Sequence, residues 1–174
     1  IRKLLELRGV TFHLDSKVTR ITRRNGGLVT RVEKSGSALE VRSAQVCLAV
    51  GRRFNPRRVG ADQISLELAG PGLKVTPHLR TSLPHIYAAG DAAGNQMLTP
   101  VAAYEGKLAA RNALQGNVET ADYSVVPQTI FTTPEVGRVG ITHREALARG
   151  VKCHVSTHDT RGASNGRATG EDAG

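Results

Sequence analysis

The sequence predicts an α/β protein with an α+β portion, and three observations predict it. Residues 45–51, Gln-Val-Cys-Leu-Ala-Val-Gly, form a continuous apolar run ending in glycine, the pattern of a strand buried on both faces. A second apolar run, Ile86 to Ala89, ends in Gly90-Asp91, and a helix opens soon after at Thr99-Pro100. Upstream of both, short extended runs between Val10 and Val41 are broken by Asn25-Gly26-Gly27, which gives a small antiparallel meander. A meander of that kind is unusual in a plain doubly wound sheet. The 174 residues are enough for one ordinary domain or two small ones.

Composition excludes several classes. No apolar run is long enough to span a bilayer, so a membrane-spanning protein is excluded at this stage. Cys47 and Cys153 lie 106 positions apart with no CxxC pair, which rules out a disulfide scaffold and argues against a zinc site. Residues 1–60 hold 14 Lys/Arg against 4 Asp/Glu, a balance of +10, whereas the remaining 114 balance at −1. Arg20, Arg23, Arg24, Arg52, Arg53, Arg57 and Arg58 dominate that excess. A solvated basic face is the plainest reading, an anion or dinucleotide-phosphate surface the next. Nucleic acid is disfavoured because the basic third offers few aromatics for stacking. The chain opens on Ile1 and stops in a Gly/Ala/Asp stretch, so it is read as a piece of a longer polypeptide.

Taken in order, Ile1, Leu4, Leu5 and Leu7 recur at helical spacing before Gly9, predicting a helix end with a glycine cap. Val10 to Leu14 alternates with period two, a strand, and Val18 and Ile21 sit in another extended run. Leu28, Val29 and Val32 continue beyond the Asn-Gly-Gly turn, and Leu39-Glu40-Val41 closes the meander. Cys47 belongs inside the buried strand as a small inert hydrophobe. Residues 52–72 read as connection with at most a helical turn, and Leu73-Lys74-Val75 as a short edge strand. The helix from Thr99, with Thr as N-cap and Pro100 at the first position, runs through Val101, Leu108, Ala109 and Leu114 to Gly116. Thr129 to Phe131 and Val136 to Ile141 predict short strands around a Pro134-Glu135 turn. Thr142-His143-Arg144-Glu145 is a capping box opening a helix that ends at Gly150. Val151 to Val155 reads as a strand with a surface His154, and the small polar tail from Thr160 is expected to be poorly ordered.

Chemistry concentrates at Gly90-Asp91. Ligands of open α/β sheets bind outside the carboxyl ends of strands. An acid there accepts hydrogen bonds from sugar or polyol hydroxyls, and glycine permits close approach. The N-terminus of the following helix adds free N–H groups and a positive dipole end.

At Thr81 through Asp91 the chain resembles the second FAD-binding signature of the pyridine nucleotide-disulfide oxidoreductases, the family of dihydrolipoamide dehydrogenase, mercuric reductase and glutathione reductase. Ala49-Val50-Gly51-Arg52-Arg53 resembles the segment that joins its NAD(P) domain to its FAD domain. Met97 to Ala102, followed by Glu105-Gly106, resembles its flavin-facing helix start, and Val126 to Ile141 the opening of its dimer-interface domain. The resemblance implies partial doubly wound FAD/NAD(P)-binding domains followed by the start of an α+β interface domain. The implied boundaries are 1–52 for the end of the NAD(P)-binding domain, 53–122 for the second FAD-binding segment, and 123–174 for the interface domain.

By the same resemblance Asp91, beside Gly90, would bond the ribityl chain of FAD, and Met97, Leu98 and Thr99 would border the flavin. Val18, Val50, Gly51 and Arg52 would lie along NAD(P)H. The family's Thr and Pro are replaced here by Val50 and Phe54, a departure on the nicotinamide side. There is no GxGxxG and no CxxxxC in the sequence, so no catalytic and no metal-binding residue is named. The implied whole is a cytoplasmic homodimer passing electrons from NAD(P)H through flavin to a disulfide or metal-type acceptor, with no membrane or nucleic-acid partner. Gly166-Arg167-Ala168 leans toward the dihydrolipoamide dehydrogenase and mercuric reductase branch. Two alternatives stand beside it: a non-disulfide flavoprotein reductase or NADH oxidase, and a non-catalytic basic binding module.

Overall fold

Asn25-Gly26 and Ser35-Gly36 each place two consecutive residues at positive φ, 50° and 79° in the first pair, 48° and 83° in the second. That is the geometry of two-residue primed turns, whose twist matches the strands they join. In the computed structural model, which describes residues 1–158, these turns connect β1 (Lys17–Arg24), β2 (Gly27–Lys34) and β3 (Ser37–Ser43) into an antiparallel sheet of order β1-β2-β3. The register pairs Val18 with Val32 and Thr22 with Val29 on one side of β2, and Val32 with Leu39 on the other. A bulge falls between Val18 and Arg20. Val29 and Val32 are buried on the central strand, three positions apart and therefore on opposite faces. A short helix, α1 (Arg2–Leu7), precedes the sheet and gives way to Gly9 at φ 85°.

This meander belongs to the first of two units, Ile1–Gly51; the second is Arg52–Gly174. Three expectations fail in the first unit. Residues 10–14 and 45–51 form no strand, and 45–51 are exposed throughout. A strand buried on both faces needs a hydrogen-bonded neighbour along each edge, and no described strand pairs with either run. Cys47 is consequently exposed rather than buried.

The second unit opens with a 3₁₀ turn at Pro56–Val59, its N-cap Asn55 accepting from Arg57 N–H at 3.1 Å. A two-residue hairpin, β4 (Leu68–Ala69) with β5 (Gly72–Leu73), stands where a strand over 73–75 was expected. The expected strand at 86–89 reduces to one antiparallel bridge, Tyr87 to Arg80, again for want of neighbouring strands. A 3₁₀ turn at Gly90–Ala92 then leads to α2 (Thr99–Gln115). Thr99 is its first residue rather than its cap; Leu98 occupies the cap and offers no side-chain acceptor. The left-handed Gly116 ends it, as expected. β6 (Gln128–Ile130) and β7 (Val136–Arg138) pair antiparallel, and α3 (His143–Ala148) follows. Residues 151–155 are irregular and exposed rather than a strand. The expectations for the tail from Thr160 and for Gly166-Arg167-Ala168 lie outside the described residues.

The core of this unit is built on one face of α2. Val101, Glu105, Leu108, Ala109 and Asn112 are buried at helical spacing. Leu108 and Ala109 pack on Leu79, flanked by Tyr87, Ala89 and Tyr104. A second cluster joins Leu73, Ala88 and Ala93 with Phe54, Leu66 and Val75. Between them the chain passes backbone to backbone: a Cβ on Gly72 would lie 2.6 Å from the carbonyl carbon of Ala93. Asn112 ties two loops to the helix, donating to the carbonyls of His78 at 3.0 Å and Glu119 at 2.7 Å, and accepting from Glu119 N–H. No helix among the described residues is long and apolar enough to cross a membrane.

α3 realises the expected capping box. Thr142 N–H donates to Glu145 Oε2 at 2.7 Å, and Glu145 N–H donates back to Thr142 Oγ1 at 3.2 Å. The backbone N–H of Thr142, then its hydroxyl, and more weakly Arg138 hold the Glu145 carboxyl at about 2, below its ordinary 4.5. A depressed carboxylate contributes stability that is complete above its unfolded value and disappears as pH falls through the folded one. Amide resonances of residues 142–148 should therefore keep their helical shifts down to pH 4.5 and lose them toward pH 2. Glu145→Gln should remove that transition, and an unchanged titration in the variant would contradict the assignment.

Candidate functional site

The Gly90–Ala92 turn is fixed from beneath by α2. Gly90 sits at φ 64°, and a Cβ there would approach Ala102 Cβ to 2.9 Å, so glycine is required for conformation and for contact alike. Its N–H donates to Glu105 Oε2 at 2.5 Å. Glu105 is fully buried, and its other oxygen accepts from Tyr123 O–H at 2.5 Å and Asn95 Nδ2 at 3.1 Å. Asn95 also donates to the Tyr123 oxygen at 3.0 Å. Burial, and then the hydrogen bond to Glu105, raise the Tyr123 phenol above its ordinary value, keeping it a donor at physiological pH. Tyr123 stands edge-on to Tyr104, ring centres 6.4 Å apart.

Asp91 projects from this turn into an open cleft of about 540 Å³, bordered by Arg52, Phe54, Asn55, Arg58, Asp91 and Met97. Arg52 spans its mouth: Nη1 donates to Asp91 Oδ2 at 2.5 Å and Nη2 to the Met97 carbonyl at 2.6 Å. Met97 and Leu98 lead directly into the first turn of α2, where Thr99 and Val101 N–H have no intrahelical acceptor and Pro100 carries no N–H. The site therefore offers one carboxylate acceptor, a guanidinium surface and a helix N-terminus. Polyol hydroxyls and a delocalised anion suit that donor set.

Of the residues the sequence singles out, the second unit holds Gly90, Asp91, Met97, Leu98 and Thr99 around one turn and one helix start. Arg52, expected along the nicotinamide nucleotide, is hydrogen-bonded to Asp91 and to the Met97 carbonyl. Val18, exposed on β1, and the exposed Val50 and Gly51 belong to the first unit. Gly51 is at φ 92° with open space around it. Both cysteines are free and exposed, and no group of His, Cys, Asp or Glu among the described residues could hold a metal.

Sequence reasoning passed over Glu105, Asn95 and Tyr123 as contributors to the site. The available signal was the spacing of Val101, Glu105, Leu108 and Asn112, which puts two polar residues in the apolar stripe of α2. Replacing Glu105 with Ala leaves the buried Gly90 N–H without its acceptor, at a cost of about 1–3 kcal/mol, whereas the half-buried Tyr123 hydroxyl and the exposed Asn95 amide can turn to water. Urea unfolding of Glu105→Ala should therefore show a loss of about 1–3 kcal/mol, with Glu105→Gln milder. A loss within 0.5 kcal/mol, the scale of ordinary surface substitutions, would show that the network is not organised as described.

Comparisons with known proteins give the family. The sequence profile described as pyridine nucleotide-disulphide oxidoreductase matches residues 1–106, and that of the same family's dimerisation domain matches residues 126–174. A dihydrolipoyl dehydrogenase of Vibrio cholerae is 35% identical over 91% of this chain and 33% of its own length. A mercuric reductase of Streptomyces lividans is 30% identical over 92% and 33%. The crystal structure of LpdA from Mycobacterium tuberculosis superposes with a TM-score of 0.82 at 25% identity, covering 97% of this chain and 36% of that one. The flavoprotein disulfide reductase RclA of Escherichia coli shares the fold, with a TM-score of 0.82 for its C43S mutant at 22% identity over 99% of this chain and 39% of that one. The chain thus spans about a third of the length of the relatives it matches. The ordered matches along both units, together with the Gly90-Asp91 turn seated on α2, identify the chain as a member of the pyridine nucleotide-disulphide oxidoreductase family.

Proposed function

We propose that this chain supplies the ribityl and flavin-edge half of an FAD site in an enzyme that passes electrons from NAD(P)H through flavin to a disulfide or metal-type acceptor. The observation that carries the reading is the Asp91 carboxylate, presented at a cleft beside the N-terminus of α2 by a turn that the buried Glu105 holds. Asp91 accepts hydrogen bonds from the ribityl hydroxyls, and Gly90 lets that chain approach. Met97, Leu98 and Thr99 border the pyrimidine edge, where the helix dipole favours negative charge. FAD, when bound, supplies the two-electron chemistry.

The rest of the proposal follows the family. Residues 1–52 complete an NAD(P)-binding domain, with Val18, Val50 and Gly51 along the nucleotide. Residues 53–122 form the second FAD-binding segment, and 123–174 begin the interface domain of a homodimer. Such an enzyme works where reduced nicotinamide nucleotides are available, in the cytoplasm. Its redox cysteine pair and acid/base groups are contributed by sequence other than this, since Cys47 and Cys153 have no partner at the required spacing.

In the full-length enzyme, Asp91→Ala should weaken FAD by about one to two orders of magnitude, the equivalent of losing a charge-assisted hydrogen bond of roughly 1.5–3 kcal/mol. Asp91→Asn should be milder, because the amide oxygen still accepts. Flavin-to-protein ratio and dissociation constant are the measurements. Retention of FAD by Asp91→Ala at the wild-type level would refute the ribityl assignment.

A further inference from the structure

We propose that Arg52 is a positioning residue of the flavin half-site, its guanidinium fixing the separation between the Asp91 carboxylate and the main chain at Met97. The inference rests on the flavin reading of Asp91 and adds a role beside the NAD(P)H contact that the family resemblance implies for Arg52. The loop from Asp91 to Met97 is anchored at its start by the Gly90–Glu105 bond and in its middle by Asn95 on Glu105. Its far end, where the chain turns into α2, is held by the Arg52–Met97 bond. One guanidinium thus joins the polyol-binding acid to the residue bordering the flavin edge.

The geometry asks for arginine. Two N–H groups on different nitrogens of one rigid plane reach two acceptors at 2.5 and 2.6 Å. A lysine ammonium is a single flexible point charge and cannot reproduce that fork. Both side chains of the pair remain substantially solvent-exposed, 63% for Arg52 and 45% for Asp91. Exposed pairs add little to folding stability, so the contact acts on the orientation of Asp91 and the loop end rather than on the fold.

The test uses the full-length enzyme with Arg52→Ala, Arg52→Lys, Asp91→Ala, the Arg52→Ala/Asp91→Ala double variant, and Arg57→Ala as a charge-matched control outside the cleft. The readouts are the FAD dissociation constant from flavin fluorescence, the melting temperature of the apoprotein, and KM for the nicotinamide nucleotide. Arg52→Ala should weaken FAD about tenfold and Arg52→Lys about threefold, as expected for disturbing one charge-assisted bond indirectly. The apoprotein should melt as the wild type does, and Arg57→Ala should bind FAD unchanged. Because both substitutions break the one clamp, the double variant should weaken FAD by less than the two single effects combined. Additive losses in the double variant would overturn the proposal, as would wild-type FAD affinity in Arg52→Ala. A raised KM with unchanged FAD affinity would return Arg52 to the nicotinamide side. If Asp91→Ala itself leaves FAD affinity intact, the flavin reading fails instead, an outcome distinct from failure of the clamp alone.

Discussion

A carboxyl group with no access to solvent, five residues past the N-terminal proline of a helix, holds the second unit together around its site. Glu105 gathers the N–H of Gly90, the amide of Asn95 and the hydroxyl of Tyr123, two donors from the loop before α2 and one from the segment after it. A buried carboxyl group is costly unless its oxygens are hydrogen-bonded, and once they are, the loss of any one donor is felt. The arrangement therefore admits one position for the Gly90–Ala92 turn. Asp91 inherits that backbone position at the edge of the cleft.

Asn112 repeats the device two turns further along α2, where it clamps the chain at His78 and Glu119. The helix thus serves as a spine with polar hooks set into an apolar face. Val101, Leu108 and Ala109 supply the packing, and Glu105 and Asn112 determine which loops meet it. The glycines complete the specification. Gly72 and Gly94 let two backbones touch, and Gly90 lets a turn lie against Ala102. By contrast the Arg52–Asp91 pair is open to water and adds little to the fold, which leaves it free to respond to a bound ligand.

Much of this was legible from residues alone, for identifiable reasons. Asn25-Gly26-Gly27, the Thr142 to Glu145 capping box and Gly116 are local signals whose physics is complete within a few residues, and each formed as read. The turn bearing Asp91 and the start of α2 at Thr99 were equally local. The failures were non-local. The apolar runs at 10–14, 45–51 and 86–89 have strand composition, yet a strand is defined by its neighbours, and the described residues provide none beyond the Tyr87 bridge. Val46, Leu48 and Val50 are left exposed for that reason. Glu105 and Asn112 were missed because a polar residue in an apolar stripe declares its role only when its partners, brought in by tertiary contacts, are known. The hydrogen bonds of Arg52 are likewise invisible in the sequence, because its acceptors lie 39 and 45 residues away.

The most direct test of this account is amide hydrogen exchange at Gly90 in the 174-residue chain. Gly90 belongs to a short turn beside an open cleft, where amides ordinarily exchange quickly. If Glu105 holds its N–H as described, Gly90 should exchange only when the unit opens, with protection matching that of Leu108 and Ala109 in the core of α2. Exchange at the rate of the exposed Asn25-Gly26 turn would contradict the account, because the buried carboxyl group would not then be what positions Asp91.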